Sequence, residues 1–270
     1  MQWPTVPRMK PLAKLGQALF SVYVWAASFA VMGVGAFGTL TLLILRVPYQ
    51  KVHGWVTAPL FSFTVPLSTI RFRVHYHPDF DPEVRSVFGQ NHINLLDGMV
   101  AAKVIPHAFS GLMNAWQFKI PIYGWLMSLS KGIPVDKTRR ETLIRDISAA
   151  ARNRKEIGMS VLTFPEGHRT MTGDVGPFKH GVFLMASNAE MPFVPIAVRG
   201  LYEVNNKNMG WLFAPFRHVD VYVGPQFDTA GLDSDGIAEL AKRVRAYLVA
   251  CIDGGFPAGT VEQLEARPSA

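Results

Sequence analysis

The sequence has little cysteine, no acidic residue before Asp79 and no charged residue between Leu15 and Leu45. Cys251 is the only cysteine, so the chain cannot form an internal disulfide and fits a reducing compartment. A thiol nucleophile is disfavoured, because Cys251 lies in an apolar helical pattern with no histidine close in sequence. The sequence also has no G-x-S-x-G motif, so a serine acyl-enzyme is not indicated.

The uncharged run predicts a membrane segment, because it is too long for the core of a signal peptide. A straight helix over this run would reach about 45 Å, against a hydrocarbon core of about 30 Å. The run is therefore one tilted helix or a hairpin that breaks at 33–38. Basic residues flank both ends (Lys10 and Lys14 before, Arg46 and Lys51 after), which places both ends on the cytoplasmic side and favours the hairpin.

The same break region contains a literal G-x-G-x-x-G at Gly33, Gly35 and Gly38. A dinucleotide-binding loop needs a preceding strand and an acidic residue about 20 positions later, and this region has neither. These glycines are better explained by a helix break or by close contact between helices.

Composition narrows the class of partner. The chain is 49% hydrophobic and 17% charged, with a formal net charge of +7. A basic surface suits phosphate-bearing partners such as anionic lipid head groups or a nucleotide-tailed cofactor. Nucleic acid is disfavoured, because the charge accompanies a membrane segment and no nucleic-acid motif is present.

Patterns typical of strands and helices alternate from residue 71 to residue 252. This alternation predicts an α/β fold with a largely parallel central sheet flanked by helices. We expect three parts, which are a membrane-anchoring segment (1–70), the α/β domain (71–252) and a C-terminal tail (253–270). His75 and His77 share one face of a predicted strand, but no third metal ligand is evident nearby.

His92 and Asp97 form the first polar group that follows a buried strand. On one continuous helix, residues five apart point about 140° apart and cannot meet. If His92 lies in the loop before a helix and Asp97 lies in its first turn, the carboxylate reaches back to the imidazole. The spacing alone also fits an aspartate that only complements the helix dipole.

A second polar group, Glu166-Gly167-His168-Arg169, follows another buried strand. Glycine allows a tight turn there, and arginine is the preferred bidentate ligand for phosphate. Lys137 follows a third strand and Lys179 opens a later helix. The set would suit a general base that acts on a hydroxyl next to a phosphate.

These motifs resemble those of the lysophosphatidate acyltransferase family, the 1-acyl-glycerol-3-phosphate acyltransferases and their relatives. The family's N-H-x-x-x-x-D block matches Asn91-His92 and Asp97, and its F-P-E-G-x-R block matches 164–167 and Arg169. A downstream F-K-x-G, a Gly–apolar–Asp block at 132–137 and a V-P-I block at 194–196 follow the same pattern. The resemblance covers roughly residues 85–200, and the first two blocks are the most specific.

The sequence departs from the family pattern at three positions. Asn94 stands where the family often has Ser, Lys137 replaces the usual Arg, and His168 stands where Thr is common. Lysine keeps the charge but loses the bidentate fork. These departures leave the resemblance to an acyltransferase intact and bear on which lysolipid head group would be bound.

The resemblance implies transfer of a fatty acyl group from acyl-CoA or acyl-carrier protein to the hydroxyl of 1-acyl-glycerol-3-phosphate. His92 would act as the base, oriented by Asp97, and no metal or bound cofactor is implied. The phosphate site would include Glu166, Gly167, Arg169, Lys137 and Lys179, with Glu166 orienting Arg169 or the turn.

The implied partners are a lysophospholipid, a thioester donor and a lipid bilayer. The implied location is a bacterial-type inner membrane, with the catalytic domain on the cytoplasmic side. Two alternatives stay open at this point. The same chemistry could act on another lysolipid, of an ornithine or remodelling type, or the chain could be a noncatalytic lipid-binding membrane protein.

Overall fold

The computed structural model describes residues 11–120 and 123–257. The elements, in chain order, are α1 (Pro11–Ile44), α2 (Tyr49–Val52), a π-helical turn (His53–Thr57), α3 (Ala58–Leu67), β1 (Arg71–Tyr76), β2 (Val87–Gln90), α4 (Asp97–Val104), β3 (Phe109–Asn114), a 3-10 helix (Ala115–Lys119), α5 (Tyr123–Leu129), β4 (Ile133–Val135), α6 (Arg140–Glu156), β5 (Ser160–Thr163), α7 (His180–Asn188), β6 (Phe193–Arg199), β7 (His218–Val223) and α8 (Ser234–Gly254). Helix α8 runs into the tail predicted from residue 253. Residues 258–270 of that tail, and Lys10, lie outside the described residues.

The seven strands form one sheet in the order β1-β7-β6-β2-β5-β3-β4. Strands β2 to β6 run parallel to one another, β7 is antiparallel to β6, and β1 is parallel to β7. The predicted α/β fold with a largely parallel sheet is therefore confirmed. Strands such as β2, β5 and β6 are buried along almost their whole length, as expected for a sheet covered on both faces.

Helices cover both faces of the sheet. One core lies between the sheet and α6, α7 and α8, and it includes Ile147, Phe183 and Val244. The other core lies between the sheet and the layer formed by α1, α3 and α4, and it includes Val24 and Val65. The N-terminal helices are thus packed on the α/β domain and are continuous with its second core.

Helix α1 continues without a break through the glycines at 33–38, so of the two alternatives drawn from the sequence the single helix is confirmed and the break at 33–38 is wrong. The chain reverses instead at 45–48, where Arg46 adopts a φ of 61°, and α2 and α3 run back along α1. The glycines serve this contact, since a Cβ at Gly35 would lie 3.6 Å from Leu60 and one at Gly38 would lie 3.1 Å from Val56. Close helix contact, the alternative drawn from sequence, explains these small residues.

Gly200 directly follows β6 and begins the loop after it. Its φ is 88°, and a Cβ at this position would overlap the main-chain carbonyl oxygen of His218. We expect Gly200→Ala to lower the free energy of unfolding by about 2 kcal/mol or more, because strain and overlap act together. That loss corresponds to a Tm decrease of roughly 4–8 °C by calorimetry. Gly210→Ala is the matched control, since Gly210 has a φ of 62° but open space around it. An equal Tm decrease in the two variants would contradict the overlap.

Candidate active site

The polar residues singled out in the sequence follow the carboxyl ends of parallel strands. His92 follows β2, Glu166 follows β5 and Lys137 follows β4. Because β2, β5 and β4 run parallel, these residues lie along the same edge of the sheet. Strands β2 and β5 are neighbours, whereas β4 is three strands from β2, or about 15 Å at the usual strand spacing. The turns of His92 and Glu166 are adjacent, and Lys137 lies further along the edge.

His92 and Asp97 form a hydrogen-bonded pair. His92 lies in the loop before α4, and Asp97 is the first residue of that helix. His92 Nδ1 is 2.7 Å from Asp97 Oδ2. The side chain of His92 is 24% exposed while that of Asp97 is 2% exposed, so the imidazole is reachable and the carboxylate is not.

The surroundings of Asp97 determine which imidazole nitrogen carries the proton. Asp97 Oδ2 also accepts hydrogen bonds from the main-chain N–H groups of Ile93 at 2.7 Å and Asn94 at 3.0 Å. Burial raises the pKa of the Asp97 carboxyl, and the hydrogen bonds from His92, Ile93 and Asn94 oppose that shift. Because Oδ2 acts as an acceptor for all three groups, Nδ1 of His92 is the donor. In the neutral imidazole, Nε2 is then the nitrogen that carries no proton and can accept one.

Glu166 joins two loops through its buried side chain, which is 1% exposed. One carboxylate oxygen accepts the main-chain N–H of His92 at 2.8 Å, and the other accepts that of Gly176 at 2.9 Å. The main-chain N–H of Thr170 donates in turn to the carbonyl of His92 at 2.8 Å. Both oxygens of Glu166 are thus used by the main chain, which favours the turn over Arg169 as the group that it orients.

Arg169 and Lys179 lie at this turn, whereas Lys137 lies further along the sheet edge, after β4. Gly167 has a φ of 71°, and the Lys179 side chain passes so close that a Cβ at Gly167 would lie 2.8 Å from Lys179 Cε. Arg169 is half-buried, while Lys179 and Lys137 are exposed. None of these three side chains makes a hydrogen bond or ion pair with another described residue, so each cation is available to an anionic ligand.

Two asparagines that the sequence analysis did not assign to a role hold the His92 loop from its buried side. The Asn91 amide bonds to both the N–H and the carbonyl of Val198 at 2.8 and 3.0 Å, extending the pairing of β2 with β6. The Asn94 amide donates to the carbonyls of Leu201 and Asn205 at 3.1 and 2.9 Å. Asparagine at position 94, a departure from the family pattern, is therefore explained by buried contacts.

Phe164 covers one face of the His92 ring. The two rings are stacked, with centroids 4.1 Å apart and an interplanar angle of 18°. This contact restricts rotation of the imidazole, as does the bond to Asp97. The only sequence signal for it is the aromatic residue that immediately precedes Pro165-Glu166.

The described residues contain no group of three or more His, Cys, Asp or Glu side chains that could hold a metal ion. His75 lies on β1, stacks on Tyr222 and is 3.5 Å from Asp220, whereas His77 lies just after the strand. His77 packs against Tyr247 and Phe256. These contacts are structural.

A known protein family matches the part of the chain that contains these residues. The Acyltransferase family model matches residues 71–199, which include β1 to β6 and the His92 and Glu166 turns. Residues 71–199 are an acyltransferase-family domain. The chain is accordingly an acyltransferase.

Relatives of this acyltransferase come from bacteria, fungi and animals. The chain is 26% identical over 242 residues to the 1-acyl-sn-glycerol-3-phosphate acyltransferase of Pseudomonas aeruginosa. That alignment covers 89% of this chain and 91% of the relative. It is 24% identical to the enzyme of the same name from Saccharomyces cerevisiae, over 88% of this chain and 79% of the relative. The mouse 1-acyl-sn-glycerol-3-phosphate acyltransferase alpha is 28% identical, over 76% of this chain and 74% of the relative.

A solved structure shares the fold of the acyltransferase. The crystal structure of the 1-acyl-sn-glycerophosphate (LPA) acyltransferase PlsC from Thermotoga maritima superposes with a TM-score of 0.75. It is 21% identical and covers 95% of this chain and 99% of that one. The shared fold extends over nearly the whole chain, including the N-terminal helices.

Proposed function

We propose that this acyltransferase transfers a fatty acyl group from a thioester donor to the free hydroxyl of 1-acyl-glycerol-3-phosphate, giving phosphatidic acid. The observation that carries the proposal is the His92–Asp97 pair, hydrogen-bonded at 2.7 Å, on a loop bonded to the turn that carries Arg169. A base and an unpaired guanidinium are thus presented together. The names of the relatives support the choice of acceptor.

The reaction needs one base and no covalent enzyme intermediate. Nε2 of His92 takes the proton of the acceptor hydroxyl, and the oxygen attacks the thioester carbonyl. The tetrahedral intermediate expels the thiolate as the carbon–sulfur bond breaks, and the imidazolium returns its proton to that thiolate. Asp97, held by the main chain of Ile93 and Asn94, stabilises the imidazolium while it exists.

The acceptor's phosphate is bound by the basic residues around the Glu166 turn. Arg169 is the principal ligand, because a guanidinium forms paired hydrogen bonds with phosphate. Lys179, which lies across Gly167, and Lys137, further along the sheet edge, add charge. Glu166 and Gly167 shape the turn, and the donor is acyl-CoA or acyl-carrier protein.

The N-terminal segment attaches the enzyme to a membrane. Within the described ranges, Leu12–Ile44 is the helix long and apolar enough to cross a bilayer, and it is mostly exposed, unlike the core helix of a soluble protein. Residues 1–70 then form the anchor, and 71–252 the catalytic domain on the cytoplasmic side of a bacterial-type inner membrane. The acceptor and the product both reside in lipid, so this attachment brings the site to its substrate.

The test of the acceptor is Arg169→Ala, assayed with a panel of lysolipids. A charged hydrogen bond is worth about 1.5–3 kcal/mol, so we expect KM for 1-acyl-glycerol-3-phosphate to rise by roughly 10- to 150-fold. Arg145→Ala is the control, since Arg145 is exposed on α6 and its ion pair among the described residues is with Asp146. Activity on an ornithine-type lysolipid that is high and insensitive to Arg169→Ala would favour that acceptor class instead.

A further inference from the structure

The loop that joins β6 to β7, residues 200–217, exposes two large aromatic side chains. Trp211 is 50% exposed and Phe216 is 78% exposed. Phe216 is held in this position although its φ of 55° is unfavourable for a side chain of its size, and its main-chain N–H donates to Thr69 Oγ1 at 2.8 Å. The loop therefore presents apolar surface from a fixed backbone.

This loop is attached to α1. The main-chain N–H of Phe213 donates to Ser21 Oγ at 2.9 Å, and Trp25 Nε1 donates to the carbonyl of Trp211 at 2.9 Å. The rings of Trp25 and Phe213 also meet edge to face, with centroids 5.7 Å apart. Within about one turn of these contacts α1 exposes Leu19, Val22 and Phe29. The exposed aromatics of the loop thus adjoin the apolar surface that we assign to the membrane.

The charge of this region suits an anionic lipid surface. Lys207 and Arg217 in the loop are exposed, as is Arg71, whose main-chain N–H donates to the carbonyl of Arg217. Glu203 is the only acidic residue of the loop. Aromatic side chains with nearby basic residues are typical of the membrane–water interface, where rings lie at the head-group level and cations meet anionic lipids.

Hydrogen bonds also join the loop to the active site. It supplies the carbonyls of Leu201 and Asn205 that accept the Asn94 amide, two residues after His92. Tyr202 Oη donates to the carbonyl of Met171, two residues after Arg169. A contact that positions this loop therefore also positions the turn that carries His92 and the turn that carries Arg169.

We propose that the loop at 200–217 is a second membrane contact, which seats Trp211 and Phe216 in the interfacial region of an anionic bilayer beside α1. The proposal rests on the membrane attachment in the proposed function and adds a contact made by the catalytic domain itself. It places the edge of the active site at the level where a lysolipid presents its head group and hydroxyl.

A single-site label tests this contact, because the native Cys251 is fully buried. Full-length protein with Phe216→Cys would carry an environment-sensitive dye and bind phosphatidylglycerol-containing vesicles whose acyl chains bear a quencher. We expect a blue shift and quenching at position 216. Leu184→Cys is the control without quenching, since Leu184 is exposed on α7, across the sheet from α1. Leu19→Cys on α1 reports, by its own quenching, whether the N-terminal anchor is in the bilayer.

The outcomes separate the membrane contact of the loop from the membrane attachment by α1. Quenching at 19 without quenching at 216 overturns the second contact and leaves the anchor intact. Quenching at neither position overturns both the contact and the proposed membrane attachment. Equal quenching at 184 and 216 shows nonspecific adsorption and also overturns the contact.

A kinetic measurement gives an independent readout. The double variant Trp211→Ser/Phe216→Ser should lose roughly tenfold activity on lysophosphatidate presented in vesicles, since it removes the two rings that insert into the bilayer. Its activity on a short-chain, monomeric lysophosphatidate should stay within about twofold of the wild type. A protein partner bound to this surface would instead leave vesicle activity of the purified enzyme unchanged, and that result would overturn the proposal.

Discussion

Replacing His92 with alanine is expected to lower the acyl-transfer rate by about 10²–10⁴, the usual contribution of a positioned general base. The fold should persist, because the main-chain bonds from His92 to Glu166 and Thr170 do not involve the imidazole. The measurement is kcat for transfer of a labelled acyl group to 1-acyl-glycerol-3-phosphate, with circular dichroism to confirm folding.

His168→Ala is the matched control for that variant. His168 is an exposed histidine in the turn beside Arg169, so its loss removes an imidazole near the site without removing the proposed base. We expect its kcat to stay within about threefold of the wild type. Equal losses in the two variants, or full activity in His92→Ala, would refute the assignment of His92.

The second large effect concerns Asp97, where two variants separate charge from structure. In Asp97→Asn the amide oxygen can take the place of Oδ2 and keep the bonds from Ile93 and Asn94. The amide nitrogen would take the place of Oδ1, which has no hydrogen-bond partner among the described residues. Stability should therefore change little, while the uncharged amide no longer stabilises the imidazolium. We expect kcat to fall by about 10²–10⁴.

Asp97→Ala removes the acceptor as well as the charge. It leaves the N–H groups of Ile93 and Asn94 and Nδ1 of His92 without this acceptor, which should lower the free energy of unfolding by about 3 kcal/mol. Thermal unfolding should show a Tm decrease of roughly 6–12 °C in this variant and little change in Asp97→Asn. Near-wild-type kcat in Asp97→Asn would mean that Asp97 serves the loop and not the chemistry.

The sequence was sufficient to predict the placement of His92 and Glu166, because each follows a short, apolar strand pattern. Parallel neighbours end at one edge, so two such ends imply proximity without any knowledge of contacts. The pairing of His92 with Asp97 depended on where α4 begins. Spacing left that open, and the structure shows that the helix begins at Asp97.

Other features depend on contacts between distant residues. The bonds from Asn91 to Val198 and from Asn94 to Asn205 span more than a hundred positions, so no local pattern indicates them. The bond from the main-chain N–H of His92 to Glu166 spans 74 positions and is nonlocal in the same sense, whereas Gly176 lies only ten positions after Glu166.

For Gly33–Gly38, the sequence left a helix break and close helix contact as alternatives, and packing decides between them. Glycine in a helix costs only about 1 kcal/mol relative to alanine. Helix α1 offsets that cost by packing closely against Val56 in the π-helical turn and Leu60 in α3. Glycine therefore marked a helix contact there and not a turn. The turn at Arg46 carries no glycine at all.

The most direct test of the account is acyl transfer by the purified full-length enzyme, with acyl-CoA and acyl-carrier protein as donors and a panel of lysolipids as acceptors. The account predicts phosphatidic acid from 1-acyl-glycerol-3-phosphate with at least one donor, loss of the product in His92→Ala, and a raised KM for this acceptor in Arg169→Ala. Absence of product from 1-acyl-glycerol-3-phosphate with both donors, alongside turnover of another lysolipid, would contradict it.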